Sequence, residues 1–219
     1  MATTIVSTTL LRRIAHHHGA ICGETLTGFK WLANLALSHD GPFVLGFEEA
    51  LGYSVGEVVR DKDGISATLI LLDLASSLKA RGQTLWDAYK RLDQRHGAHR
   101  STQVAIKMDG ADGARAIQGA MKALRENPPT ELAGSDVVQM RDVQSRISMD
   151  CKTGQSTQIP LPPSNVLEFT LEDDSRVLAR PSGTEPKIKF YVEVVGKDPT
   201  TAEKRLAEVV AAVRKRTGL

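Results

Sequence analysis

The sequence predicts an α/β protein: a mixed, mostly parallel α/β sandwich over residues 1–97, then a smaller α+β domain over residues 98–219 with an antiparallel sheet and helices on one face. Three observations predict it. Short apolar runs alternate with helical patterns through Leu92, as in layers of helix over parallel sheet. His96, Gly97 and Ala98 interrupt that pattern. Beyond them, Lys187 to Val195 alternates strictly between apolar and polar residues before one long terminal helix.

Taken in order, Thr3 to Val6 reads as a strand, and Ser7 as the cap of a helix carrying Leu10, Leu11 and Ile14 that Gly19 closes. Ala20 to Cys22 is the second expected strand, followed by a helix from Gly28 with Trp31, Leu32 and Leu35. Pro42 opens a third apolar run, Phe43 to Leu45. Ile65 to Leu78 is apolar almost all round, which predicts a buried helix ending near Gly82. Thr84-Leu85-Trp86-Asp87 has the spacing of a capping box.

In the second part, Thr102 to Ile106 reads as a strand. Ala114, Ile117, Met121 and Leu124 share one face of a helix that Pro128 and Pro129 end. A polar stretch without a strand signal follows. Val166 to Leu171 and Arg176 to Arg180 read as a hairpin turning at Asp173 and Asp174. In the next strand Ile188, Phe190, Val192 and Val194 face one way and Lys187, Lys189, Tyr191 and Glu193 the other. Asp198 caps the last helix, Pro199 opens it, and Ala202, Leu206, Val209 and Val213 point inward.

Composition bounds the function. Lys and Arg number 28 against 26 Asp and Glu, a net charge of +2, so charge gives no case for nucleic-acid binding, even with a basic final helix. The longest greasy stretch, Ala67 to Ala75, contains Asp73 and falls short of the ~20 residues of a membrane span. Cys22 and Cys151 have no CxxC spacing, so neither a zinc site nor a disulfide framework is indicated. With no signal-peptide layout, the expected location is cytoplasmic.

Four segments carry possible chemistry. Arg180-Pro181-Ser182-Gly183-Thr184-Glu185-Pro186 lies between two expected strands. Arg180 offers a planar fork for a phosphate, Ser182 and Thr184 offer hydroxyls and amides, Gly183 permits close backbone approach, and Lys189 adds a point charge. The same composition also makes a plain turn, and spacing leaves both readings open. Gly46-Phe47-Glu48-Glu49-Ala50-Leu51-Gly52-Tyr53 follows an apolar run, and its carboxylates can accept hydrogen bonds from vicinal sugar hydroxyls or form a solvated acidic turn. Arg60-Asp61-Lys62-Asp63-Gly64 places a helix cap at Asp63 beside Lys62, an acid/base group if partly buried. Thr25-Leu26-Thr27-Gly28-Phe29-Lys30-Trp31 sets Thr27 and Gly28 at a helix start, near a ligand or as a simple cap. His16, His17 and His18 fan around a helix and read as a solvated end, not a metal site.

These four segments, in this order, resemble the phosphoglucomutase/phosphomannomutase (phosphohexomutase) family, and the likeness covers almost the whole chain. The resemblance implies four domains around a cleft, of which residues 1–97 and 98–219 match the third and the C-terminal. It implies interconversion of hexose 1-phosphate and 6-phosphate through a phosphoserine and a bisphosphorylated intermediate. Glu48 and Glu49 would then read the sugar, with Thr27 and Gly28 contacting its ring. Lys62 would serve in proton transfer or charge stabilisation. Arg180, Ser182, Gly183, Thr184 and Lys189 would clamp the phosphate that is not transferred.

Two departures from the family pattern stand out. Ala50 replaces a usual serine in the sugar loop, and the chain carries neither the phosphoserine segment nor the Mg2+-binding loop, which belong to the first two domains. The expectation is a C-terminal fragment of a magnesium-dependent mutase, without metal ligands of its own and inactive without the missing N-terminal domains. The alternative is a stand-alone sugar-phosphate-binding or regulatory module.

Overall fold

The structure, a computed structural model, describes residues 1–108, 110–183 and 185–217. They form two compact units, Met1–Gly97 and Ala98–Leu219. The second, expected to be the smaller, is the longer.

Unit 1 is built on a four-stranded sheet in the order β2-β1-β3-β4. β1 (Ala2–Thr4) runs parallel to both β2 (Gly23–Thr25) and β3 (Leu45–Glu48), and β4 (Gly52–Val55) returns antiparallel to β3. The second strand lies three residues later than expected: Ala2 pairs with Gly23, and Ile21 is 72% exposed. Gly23 suits that register, since a Cβ there would lie 2.2 Å from Leu35 Cδ2. The third strand is also displaced. Gly46, Phe47 and Glu48, read as a loop, complete β3 and pair with Ser54, Tyr53 and Gly52.

Helix α1 (Leu10–His17) starts after Thr9, so Ser7 is not its cap. Helix α2 (Phe29–Leu37) sets Phe29 and Leu32 against Ala2, with Leu35 and Phe43 partly buried beside them. Helix α4 (Leu85–His96) begins with the expected capping box of Thr84 and Asp87. The helix read as buried is the main correction. α3 (Gly64–Ala80) forms, but only Leu78 of its residues is buried. Asp63 caps it, accepting from the Ile65 and Ser66 amides at 3.0 and 3.3 Å.

Unit 2 carries an antiparallel sheet in the order β5-β12-β11-β10-β7-β8-β9. Its strands are β5 (Ala98–Lys107), β6 (Glu131–Leu132, paired with β7), β7 (Ser135–Asp142), β8 (Ile147–Asp150), β9 (Ser156–Gln158), β10 (Leu167–Leu171), β11 (Arg176–Pro181) and β12 (Lys187–Gly196). The hairpin β10–β11 turns at Asp173 and Asp174 as expected, with Asp174 at φ 63°. The polar stretch without a strand signal supplies β6 to β9.

Helices α5 (Gly110–Glu126) and α6 (Pro199–Thr217) share one core with the inner faces of β5, β10, β11 and β12. Ile188, Phe190, Val192 and Val194 face it as the alternation predicts, with Ile117, Met121, Ala202, Val209 and Val213 from the helices. Ala114 is exposed, and Gly113 is buried in its place. A Cβ at Gly113 would come 2.1 Å from the Met108 carbonyl, so only glycine fits.

The other side of β12 is not a solvent face. Tyr191 and Glu193 are buried there, among alternating charges that cross five adjacent strands. His99 Nδ1 is 3.0 Å from Glu193 Oε1, and Arg176 Nε is 2.7 Å from Glu193 Oε2. Arg176 Nη1 lies 3.4 Å from Glu168 Oε1, and Arg141 Nη1 lies 2.6 Å from Glu168 Oε2. Cross-strand register brings them together: Arg176 pairs with Glu193 and Glu168 with Arg141.

Candidate functional site

In unit 1 three of the four singled-out segments meet. Gly28 takes φ 115°, in the region that favours glycine, and turns its amide toward Glu48 Oε2 at 3.3 Å. Glu48, at the end of β3, is buried, and its other oxygen lies 3.3 Å from Lys62 Nζ. The Lys62 ammonium also stands 4.7 Å from the centre of the Phe29 ring. Thr27 is half-buried just before this turn. The site is thus a carboxylate held by an amide and an ammonium, able to accept from hydroxyls and to offer a proton nearby.

Two details differ from the sequence reading. The Lys62 side chain is 48% exposed, so it is not the partly buried group that the sequence reading required. Glu49 does not join Glu48. The Ser7 hydroxyl donates to Glu49 Oε2, and the Thr4 hydroxyl lies 3.4 Å from the same oxygen. Glu49 therefore ties the β3–β4 turn to the end of β1, and Ser7 serves this tie instead of a helix.

Gly52 and Phe29 lay inside the quoted segments without an assigned role, and both shape the site. A Cβ on Gly52 would fall 2.5 Å from Phe29 Cε2, 2.8 Å from Glu48 Cγ and 3.1 Å from Lys62 Cε. The strand crosses beneath Glu48 only because no side chain is there. The loop holding Lys62 is pinned by the Asp63 amide donating to the Tyr53 carbonyl at 2.7 Å. Hydrogen bonds from Ser66 and the Ile65 amide hold the Asp63 carboxyl below the ordinary carboxylate range.

In unit 2 the hairpin register makes Arg180 and Lys189 direct cross-strand partners, so both cations leave the sheet on one side. Lys187 and Lys107 are likewise partners across β12 and β5. Lys187 forms an ion pair with Glu185. The hydrogen bond and charge of Lys187, with Lys107 and Lys189 behind it, hold the Glu185 carboxyl below its ordinary range. Ser182 and Gly183 sit in the turn, half-buried and exposed. The Ser182 amide donates to the Lys187 carbonyl at 2.8 Å, so it closes the hairpin. Thr184 lies outside the described residues. Lys187, Lys107 and Glu185 are additions to the sequence reading; the Lys-x-Lys alternation of β12 signals Lys187, whereas Lys107 is brought in by the β5–β12 register.

His16, His17 and His18 stand at the end of α1, where His17 Nε2 is 3.2 Å from Arg95 Nη1. Among the described residues no three of His, Cys, Asp and Glu gather as metal ligands. No described helix is long and apolar enough to cross a membrane.

Known proteins with the same features cover the chain. Residues 1–95 match the phosphoglucomutase/phosphomannomutase α/β/α domain III, and residues 89–214 match the phosphoglucomutase/phosphomannomutase C-terminal domain. A probable phosphomannomutase of Haemophilus influenzae is 42% identical over 215 residues, which is 98% of this chain but 40% of that protein. A phosphoglucomutase of Staphylococcus aureus is 35% identical over 89% of this chain and 35% of its own length. The chain thus spans about two-fifths or less of these relatives. In fold, it superposes on the open form of Paramecium parafusin with a TM-score of 0.68 at 21% identity, covering 99% of this chain and 37% of that one. It superposes on a putative phosphomannomutase of Thermus thermophilus with a TM-score of 0.63 at 20% identity, covering 100% and 36%. On both domain matches and on sequence identity, the chain belongs to the phosphoglucomutase/phosphomannomutase family and corresponds to its C-terminal half.

Proposed function

We propose that this chain is the substrate-recognition half of a phosphohexomutase that interconverts hexose 1-phosphate and hexose 6-phosphate through a phosphoserine and a bisphosphorylated intermediate. One observation carries the reading: Arg180 and Lys189 emerge as cross-strand partners beside the turn from Ser182 to Pro186, in a chain of this family.

Two cations on adjacent strands, with Lys187 a residue pair away, suit a phosphate dianion better than either would alone. The Ser182 and Thr184 hydroxyls and the bare Gly183 backbone complete the cradle for the phosphate that stays in place. Glu48 accepts hydrogen bonds from sugar hydroxyls, Thr27 and Gly28 meet the ring, and Glu49 holds the sugar loop through Ser7. Lys62, 3.3 Å from Glu48, serves in proton transfer or stabilises charge at the reacting end of the sugar. Ala50 leaves this loop one hydroxyl short of the family pattern, so recognition falls on Glu48.

The nucleophilic serine and the magnesium ligands belong to polypeptide outside this span. The ion, where bound, would neutralise phosphoryl charge there. The chain alone therefore binds without turning over, and the complete enzyme works in the cytoplasm on hexose phosphates.

Calorimetric titration tests this. The chain should bind glucose 6-phosphate and mannose 6-phosphate more tightly than glucose, and Arg180→Ala should weaken both phosphosugars by about 1.5–3 kcal/mol. Equal binding of glucose and its phosphate, or an unchanged Arg180→Ala, would remove the phosphate cradle from the reading. Turnover by the carefully purified chain would show a nucleophile within it.

A further inference from the structure

Helix α3 is the least explained part of the fold. Its sequence, from Gly64 to Ala80, carries only Asp73 and Lys79 as charges. Yet Ile65 is 78% exposed, Leu69 62%, Leu72 60%, Ile70 57%, Leu71 51% and Leu74 43%. At 3.6 residues per turn these fall into two ridges. Ile65, Leu69 and Leu72 form one, and Ile70, Leu71 and Leu74 lie with buried Leu78 on the opposite side. An amphipathic surface helix has one apolar face, and a helix apolar on opposite sides belongs inside a protein.

We infer that α3 is an inner helix of the complete enzyme, covered on both ridges by apolar surfaces of the polypeptide that the relatives carry outside the span matched here. The two-sided pattern selects this occupant. A two-fold contact with a second copy uses one self-complementary patch and would cover a single ridge. The Haemophilus influenzae relative, of which this chain covers only 40%, has enough further polypeptide to lie on both. The inference rests on the proposed function only in taking that polypeptide as part of the same enzyme. It adds the surface on which the two parts meet.

Thiol labelling on a chimera separates the two ideas. The unmatched portion of the Haemophilus influenzae relative is joined to this chain, with Leu72→Cys on one ridge or Leu74→Cys on the other. Native Cys151, exposed in unit 2, serves as internal standard. In this chain alone both new thiols should react with Ellman's reagent as fast as Cys151. In the chimera both should slow by at least a hundredfold. A thiol that stays reactive in the chimera overturns the inference, as does protection of both in the chain alone. Protection of one ridge that grows with concentration assigns α3 to a second copy and overturns it too. Mutase assays on the same chimera judge the proposed function independently, since an active chimera with reactive thiols sinks only the inference about α3. A second measurement needs no chimera. Leu69→Glu with Leu72→Glu should leave the thermal midpoint of this chain unchanged and lower its binding of a hydrophobic dye. A fall of several degrees in that midpoint would show the ridge already packed and end the inference.

Discussion

Helices α3 and α6 have similar lengths, 17 and 19 residues, and opposite relations between sequence and burial. α6 is the more polar, with Lys204, Arg205, Arg214, Lys215 and Arg216 along it, yet it buries Ala202, Val209 and Val213 completely or nearly so. α3 is the more apolar and buries only Leu78. The difference lies in what each helix meets. α6 lies on the inner face of a sheet whose own apolar residues are in register to receive one stripe. α3 has two ridges and, within unit 1, packs on β4 and α4 with only Leu78 buried. Apolar content states how much surface seeks cover, and the pattern states from how many sides.

The largest expected effect tests that contrast directly. Val209→Asp puts a carboxylate at a fully buried position of α6 and should cost more than about 4 kcal/mol in urea unfolding. Leu71→Asp, at a half-exposed position of α3, should stay within about 0.5 kcal/mol. Equal costs would erase the distinction. Trp31 and Trp86 are the only tryptophans and both lie in unit 1, so fluorescence reads that unit while circular dichroism reads both. Fluorescence should fall at lower urea than circular dichroism, because the core of unit 1 is the thinner one.

A somewhat smaller effect concerns how unit 2 keeps charges inside. Glu193→Ala removes the carboxylate that lies 2.7 Å from Arg176 Nε and 3.0 Å from His99 Nδ1, and should cost about 3–5 kcal/mol. Replacing the pair together, Arg176→Met with Glu193→Leu, should recover most of that loss. If the double variant is as unstable as the single one, the ladder contributes more than pairwise neutralisation.

How legible was this in the sequence? The hairpin at Asp173 and Asp174, the capping box at Thr84 and the inner face of β12 could be read because each is set by local chemistry or by strict alternation. The strands β6 to β9 could not, since their residues are mostly polar and lack a clean apolar alternation, although each pairs with its neighbour in sequence. α3 shows the reverse failure: its apolar composition predicts a buried helix, yet within unit 1 only Leu78 is buried. At the candidate site, Glu48, Gly28 and Lys62 converge from three segments, which only resemblance had linked. Glu49 differs because it opens the turn after β3, where its side chain meets Thr4 and Ser7. Gly52 gave no signal beyond being glycine; its role appears only once Phe29 and Lys62 are seen to cross it.

A moderate effect sharpens the picture of unit 1. Thr84→Ala removes the hydroxyl that accepts from the Asp87 amide at 3.1 Å and should destabilise unit 1 by about 1 kcal/mol, read by fluorescence. No change would mean that α4 is held by its packing alone.

The smallest effect concerns the anion cradle, where the protein supplies its own counter-ion. Glu185 pairs with Lys187 and occupies the charge that a bound phosphate would use. Glu185→Gln should therefore raise affinity for inorganic phosphate by a few-fold at pH 7, the scale of an exposed ion pair. The pH dependence has a definite sign. The folded carboxyl of Glu185 lies below its unfolded value, so its pairing stabilises fully above that unfolded value, near ~4.3, and is lost as pH falls through the folded value. The advantage of the glutamine variant should follow the same course: present at neutral pH, and vanishing in acid once wild-type Glu185 takes up its proton. Phosphate also protonates over this range, but equally for both proteins, so the ratio of their affinities isolates Glu185. A variant that binds phosphate more weakly at pH 7 would show that Glu185 orders the turn for the ligand instead of competing with it.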